Sequence, residues 1–303
     1  MKLLMCKDIS VYDFESFSIL NIDLLPGILQ VDCSAQNINA WCQGRYSQKS
    51  NSYARVQRAR EYPHSSPEEI DRLSGAFSLS DCYWIKTKPG SSFRKLSPYF
   101  EDNWKDGIST ANIYTNGWQS KRWVSPNWLY KYGSKNEMEI MRLARLAGLT
   151  SVEVKIEGDG ILVENFTNTD IMFEPADMSA LFYDDAEEDI PLPRVENVIE
   201  KQGIFGEQML LFDNIVGNWD RHLGNFGFLR DSNTGKVLSA APLFDFEHSE
   251  EQTLRRPEVM SIVRCCKNKP VLTDMCNRIY VNTDSYIYRT NCSAAIEMIN
   301  GVG

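Results

Sequence analysis

Asn218-Trp219-Asp220-Arg221-His222-Leu223-Gly224-Asn225 and, further on, Leu243-Phe244-Asp245-Phe246 are the stretches on which the reading of this 303-residue chain turns. Asp220 and Asn225 stand five residues apart, and Asp245 follows Asn225 by twenty. Phosphoryl transfer needs little covalent help from a protein. One carboxylate orients the attacking hydroxyl, and two further oxygen-bearing side chains hold the metal that neutralises the phosphates. The bare D-x-x-x-x-N spacing is common, so its setting has to carry the weight. Phe205, Met209, Phe212 and Val216 recur at helical spacing and predict a buried helix near 204 to 216, which delivers Gly217 and Asn218 into a turn. Asp220 then lies in the loop just beyond. Asn225 to Arg230 reads as a strand, Asp231-Ser232-Asn233-Thr234-Gly235 as a turn and Lys236 to Ala240 as the returning strand, a hairpin that brings Asp245 back beside Asn225. The plainer alternative is a surface ion pair between Asp220 and Arg221, with Asp245 capping a helix.

This layout resembles the kinase pattern H-R-D-x-x-x-x-N followed by D-F-G, where the first Asp is the base and the Asn and second Asp hold Mg²⁺. The Asp-Arg-His-x-x-Asn string is similar to that of the HipA-like kinases, here in a compact form, and more distantly to phosphoinositide kinases. Phe205 to His248 carries most of the likeness, and about Thr110 to Phe166 adds weaker support. The resemblance implies an α+β, bilobal protein-kinase-like fold, with an antiparallel-sheet small lobe and a mostly helical large lobe. It implies ATP and Mg²⁺ as cofactors, Asp220 as base, and Asn225 and Asp245 as metal ligands. It also implies a Ser/Thr protein kinase acting on a protein acceptor, with autophosphorylation of a serine in the phosphate loop, and it raises an antitoxin partner that the residues themselves do not reveal. Three departures stand out. His-Arg-Asp is replaced by Asn218-Trp219-Asp220, Glu247 stands where D-F-G has its glycine, and no A-P-E segment follows Asp245, so an activation loop of the usual kind is not expected.

A kinase also needs a lysine for the nucleotide phosphates and a glutamate to hold it. Trp128-Leu129-Tyr130-Lys131-Tyr132 alternates like a strand and puts Lys131 on the face opposite three aromatic rings. Ser134-Lys135-Asn136-Glu137 then opens a helix running through Ala147, with Gly148 at C′. Glu137 is the first candidate for the lysine's partner and Glu139 the second. The local alternative is a capping box, Ser134-x-x-Glu137, which would use that carboxylate at the helix start. Thr115 to Lys121 is a turn-forming stretch whose Gly117, Gln119 and Ser120 resemble the Gly-x-Gln-x-Lys loop of HipA-like proteins, and one glycine with polar neighbours can present N–H groups to a phosphate. A plain hairpin turn is the other reading of it. Ser151 to Ile156 and Ile161 to Phe166 form a further hairpin, at whose exit Glu164, Asn165 and Phe166 would meet the adenine. The domains expected are 1–105 as an N-terminal extension packed on the small lobe, 106–166 as the small lobe and 167–303 as the large lobe, entered by a linker at Thr167 to Pro175.

Composition fits a cytoplasmic enzyme. The length suits two lobes better than one domain. No apolar run reaches membrane-spanning length, and Met1 to Lys7 is too short before its next charge to act as a signal peptide. Eight cysteines are scattered without zinc spacing, so reduced and mostly buried thiols are expected. Asn165-Phe166-Thr167 and Asn291-Cys292-Ser293 match the glycosylation sequon without a secretory signal to give them meaning. Residues 1–135 carry 17 Lys and Arg against 13 Asp and Glu, a balance of +4, whereas the rest carry 15 against 28, a balance of −13. That acidic half argues against a nucleic-acid substrate and suits a basic peptide or protein acceptor. The acidic run Asp184 to Asp189 is its sharpest local form, and the basic run Gln43 to Arg60 reads as a solvated helix. Three alternatives remain. A small-molecule phosphotransferase of the aminoglycoside type shares the Asp-x-x-x-x-Asn layout but reads His-Gly-Asp before it. A lipid kinase shares the Asp-Arg-His-x-x-Asn string yet would favour a basic surface. A nucleotide-binding scaffold without turnover would not need the full set of polar groups.

Overall fold

The computed structural model describes residues 2–46, 76–105, 121–176 and 195–301. Strands β1 (Leu3–Cys6), β2 (Ile9–Asp13) and β3 (Ser18–Ile19) are followed by helices α1 (Gly27–Val31) and α2 (Ala35–Tyr46), strand β4 (Tyr83–Lys86), and short helices α3 (Phe93–Leu96) and α4 (Glu101–Lys105). Next come β5 (Lys121–Ser125), β6 (Trp128–Tyr132), helix α5 (Lys135–Leu146), the hairpin of β7 (Val154–Glu157) and β8 (Gly160–Glu164), and β9 (Ile171–Pro175). Helices α6 (Val195–Gln202) and α7 (Ile204–Val216) precede the hairpin of β10 (Gly227–Asp231) and β11 (Val237–Ala240). Helices α8 (Arg256–Cys265), α9 (Lys269–Asn282) and α10 (Tyr286–Gly301) follow.

Packing divides the described residues into two units that interleave along the chain. One takes 2–46, 76–105, 121–133, 157–176 and 228–239; the other takes 134–156, 195–227 and 240–301. This division by packing differs in kind from the three contiguous segments expected from the sequence, which assign functions. Residues 171–175, expected in a linker, instead form β9 beside β10, in a three-stranded sheet of order β11-β10-β9. The loop carrying Gly117, Gln119 and Ser120, the acidic run at 184–189 and most of the basic run lie outside the described residues.

The first unit is built on the antiparallel sheet β3-β2-β1-β4, covered by Trp41 of α2 with Leu4, Val11, Tyr12 and Trp84 in its core. Arg45 belongs to this core rather than to a solvated basic face. Its guanidinium meets Asp81 at 2.6 Å and donates to the Ala76 and Tyr83 carbonyls. A second buried arginine, Arg230 on β10, donates to the Leu25 carbonyl (2.7 Å), the Asp23 carbonyl (2.6 Å) and Glu174 (3.0 Å), which supplies a buried cation with the partners it needs. Gly235 makes that packing feasible. Its φ is +72°, and a Cβ there would run into the Asp23 carbonyl. In the second sheet of this unit β6 lies between β5 and β8, with Lys131 opposite Lys121 on one side and Ile161 on the other. The alternation of β6 turns Lys131 inward, where it is 3% exposed, and leaves Tyr132 in solvent.

The second unit is mostly helical. Helix α7 occupies the expected span and is buried along almost its whole length, with Met209, Leu211, Phe212, Ile215 and Val216 out of solvent, so it is the central helix of its unit. Helices α8, α9 and α10 pack around it through Val259, Ile262, Leu272, Met275, Ile279, Cys292 and Ala295. All eight cysteines are free, and burial pushes Cys6 and Cys42 up to about 12, far from thiolate reactivity. Among the described residues no helix is long and apolar enough to cross a membrane.

Candidate active site

The end of α7 sets the site. Gly217 caps the helix in the left-handed conformation (φ +64°), and a Cβ on it would run into the Glu250 carbonyl. The chain turns sharply there, and the Asn218 amide still bonds back to the Asp213 carbonyl at 2.9 Å. Asn218 bridges to Ser249 in antiparallel fashion, and Asn136 of α5 donates to the Ser249 carbonyl at 3.1 Å. The loop beyond α7 and the segment beyond Asp245 are therefore tied together by backbone bonds.

Arg221 is the keystone of this arrangement. It does not pair with Asp220. Its Nε and Nη2 form a two-pronged pair with Asp213 on α7, at 2.9 and 3.0 Å, with side-chain exposures of 3% and 5%. Nη1 donates to the Asn225 carbonyl (2.7 Å) and the Phe244 carbonyl (2.8 Å), and the guanidinium lies over the Phe246 ring at 4.7 Å. One side chain thus fixes Asn225 and the residue before Asp245 side by side, as the hairpin reading expects, and the surface ion-pair alternative is excluded. Asp213 has a sequence signal that is easily overlooked. An acid on the buried side of a helix needs a partner, and an arginine eight residues on supplies it. Arg221→Leu leaves the buried Asp213 carboxylate without its ion-pair partner, holding only the Asn218 amide at 2.8 Å, and is expected to cost about 3–5 kcal/mol, to be read by chemical denaturation. A loss under about 1 kcal/mol would show that the Arg221 ion pair is not what holds this end of the helix.

With Arg221 turned inward, Asp220 faces the other way. Its backbone carbonyl accepts from the His222 amide (2.8 Å) and from Asn225 Nδ2 (3.0 Å), which fixes the Asn225 amide and turns its Oδ1 away from that bond. The Asp220 carboxylate stands 3.8 Å from His248 Nε2. Desolvation holds the Asp220 carboxyl above its usual range, with Asp245 adding to the rise, while His222, His248 and Arg221 pull it back. Asp245 has φ +62°, a left-handed conformation that a non-glycine residue rarely adopts; it does not cap a helix.

Glu137 completes the cluster from α5. Ser134 is the N-cap but makes no side-chain cap bond, and Glu137 Oε1 instead accepts from the Phe246 amide at 3.3 Å, so the capping box is not formed. Glu137 is fully buried, whereas Glu139 is solvent-facing in a 3.9 Å pair with Arg142. Carboxylate oxygens of Glu137, Asp245 and Glu247 lie within 4.8 Å of one another. Converging carboxylates of this kind form an all-oxygen donor set, which suits a hard divalent ion such as Mg²⁺. Glu247 was missed in the sequence, where it registers only as a departure from D-F-G.

Lys131, Glu164 and Phe166 belong to the first unit. Glu164 is exposed at the end of β8 opposite Trp128. Phe166 packs edge-on against Phe173 at 5.5 Å, and Asn165, the residue between Glu164 and Phe166, spends its amide on the Leu79 and Pro126 carbonyls. Asn291 on α10, the other sequon asparagine, is 2% exposed. Its Nδ2 donates to the Ile215 and Gln252 carbonyls and its Oδ1 accepts from the Leu254 amide, at 2.8–3.0 Å, so both asparagines are structural amides. Asn291→Leu strands three buried backbone groups and is expected to destabilise the chain by about 3 kcal/mol, read as a shift of the urea midpoint. An unchanged midpoint would remove that tie from consideration.

No family model and no curated protein matches this chain. Among solved structures, HipA of Shewanella oneidensis MR-1, from a toxin-antitoxin complex of HipA, HipB and operator DNA, matches with a TM-score of 0.58 over 99% of this chain and 98% of that one, at 13% identity. The chain has the HipA fold. It is an α+β kinase-like architecture, as the resemblance implies, and at this identity the likeness speaks to fold alone. The proinflammatory kinase CtkA of Helicobacter pylori is also matched, at 16% identity over 60% of this chain and 90% of that one, with a TM-score of 0.34.

Proposed function

We propose that this HipA-fold chain is an ATP- and Mg²⁺-dependent kinase that transfers phosphate to a Ser or Thr hydroxyl of a protein acceptor. The observation that carries the reading is the bidentate Arg221–Asp213 pair, whose third nitrogen holds the Asn225 and Phe244 carbonyls together and so sets base, carboxamide and second carboxylate in one cluster. Asp220, with its carboxyl raised above its ordinary value by desolvation, orients the acceptor hydroxyl and takes its proton. Asn225 Oδ1 and the Asp245 carboxylate would hold the metal, with Glu247 and Glu137 as the neighbouring carboxylates. When bound, Mg²⁺ supplies charge neutralisation on the phosphates. Lys131 is assigned to the phosphates, Gly117, Gln119 and Ser120 to the covering loop, and Glu164 to Phe166 to the adenine edge. In this division residues 106–166 serve the nucleotide and 167–303 carry base and metal.

The acidic balance of −13 beyond residue 135 supports a basic protein acceptor over a lipid or nucleic acid. Free cysteines support a reducing, cytoplasmic setting. An antitoxin partner and autophosphorylation at Ser120 are the finer proposals attached to this fold. The test is incubation with γ-labelled ATP and Mg²⁺, with and without a protein extract, a lipid extract and a panel of small hydroxyl compounds. Label on protein, including the chain itself, is the expected result. Label on lipid or small molecules alone would replace the acceptor class, and absence of transfer under all conditions would sink the reading.

A further inference from the structure

Asp220 sits between two anchored neighbours. On one side Arg221 turns inward to Asp213. On the other, Trp219 turns toward the segment after Asp245: its indole Nε1 donates to Gln252 Oε1 at 3.0 Å, and the Arg255 guanidinium lies over its ring at 3.9 Å. That segment is itself held. Gln252 Nε2 donates to Glu250 Oε2 at 2.8 Å, the Glu250 amide reaches the Gly217 carbonyl at 3.3 Å, and Asn291 binds the Gln252 carbonyl and the Leu254 amide while its amide also takes the Ile215 carbonyl of α7. One buried amide on α10 thus links the end of the helix that delivers the loop to the strip of chain on which Trp219 rests.

We propose that Trp219 is a positioning residue for Asp220, clamped by Gln252 and Arg255, so that the segment 249–255 fixes the direction of the base. Trp219 occupies the place of the arginine in H-R-D, and Gln252 and Arg255 lie where the kinase pattern leads toward A-P-E. Here that stretch is fastened to the loop by uncharged hydrogen bonds and a stacked ring, contacts that are present without any covalent modification. A base held between a guanidinium and an indole is preorganised. A small drift in its direction costs rate, because the reacting atoms must meet in a narrow geometry. Binding of the nucleotide does not draw on the clamp, so its loss falls on turnover.

The inference rests on Asp220 acting as base, and the experiment separates the two. Gln252→Leu, Trp219→Phe and the double variant are compared with wild type in steady-state phosphate transfer and in hydrogen exchange of peptides covering 218–226. Trp219→Phe keeps a ring under Arg255 and removes only the indole donor. Each single variant is expected to lower kcat on the order of tenfold with KM for ATP within about twofold, the double variant to be no worse than the singles, and exchange to rise in 218–226 while α7, α9 and α10 keep their protection. Unchanged exchange in 218–226 overturns the clamp, and so does a fall in kcat accompanied by loss of protection throughout the unit, which would mark a purely structural role. Should wild type transfer no phosphate while 218–226 loosens as expected, the clamp stands as a loop anchor and it is the kinase reading that has failed.

Discussion

Asp245→Asn abolishes the ATP- and Mg²⁺-dependent rise in melting temperature and lowers phosphate transfer on the order of 10³-fold, an expected loss of both metal-dependent binding and turnover. The physical reason is charge. Asp245 lies within reach of the Glu137 and Glu247 carboxylates, and exchanging it for an amide removes a full negative charge from the place where a divalent ion would sit. Asparagine is the right probe because of the backbone. At φ +62° an alanine would carry strain of about 1 kcal/mol that asparagine largely avoids, so Asp245→Ala would mix a folding defect into a binding measurement. Wild type at a hundredfold excess over Kd gains about 2.7 kcal/mol from ligand, ample for a thermal shift. Equal stabilisation of wild type and Asp245→Asn by ATP and Mg²⁺ would dismantle the metal assignment.

Asp220→Asn should reduce kcat about 10²–10⁴-fold while leaving nucleotide affinity within severalfold, since a base acts on the transition state and not on the bound ATP. The raised carboxyl adds a second signature, whose sign is opposite to the common case. A carboxyl whose folded pKa lies above the usual 3.8 binds its proton more tightly in the folded state, so its contribution to stability is present below 3.8 and declines as pH rises through the folded value. At pH 7 the wild-type apo protein therefore carries a desolvated charge that Asp220→Asn lacks. The variant is expected to melt no lower than wild type at neutral pH, with any advantage vanishing as pH falls below the usual Asp value. A variant clearly less stable at pH 7 would mean that Asp220 is a structural residue, and wild-type turnover in it would remove Asp220 as base.

Local pattern made α7 legible within a residue, along with the hairpin of β10 and β11, the inward face of β6 and the C′ glycine of α5, because 3.6- and 2-residue periodicities record which side of an element is dry. The approach of Asn225 to the residue before Asp245 was legible for a related reason. The hairpin between them is short, so chain length alone brings the two back together. Periodicity says nothing about which buried polar groups find each other across long separations. Ser134 and Glu137 have the spacing of a capping box, yet Glu137 serves the Phe246 amide more than a hundred residues away, since that buried N–H needs an acceptor and the start of α5 supplies one. The charge of Arg221 was plain in the sequence, but its partner is Asp213 because two buried opposite charges cost less together than Arg221 and the half-exposed Asp220 would. Asn291 looked like a sequon and is a three-way tie; residues 171–175 looked like a linker and are an edge of a sheet. The sequence by itself determined much of the local structure and which polar groups each element carries. Tertiary structure alone decided how those groups are held, because a buried donor, acceptor or charge takes its partner from whatever the fold brings within hydrogen-bonding reach.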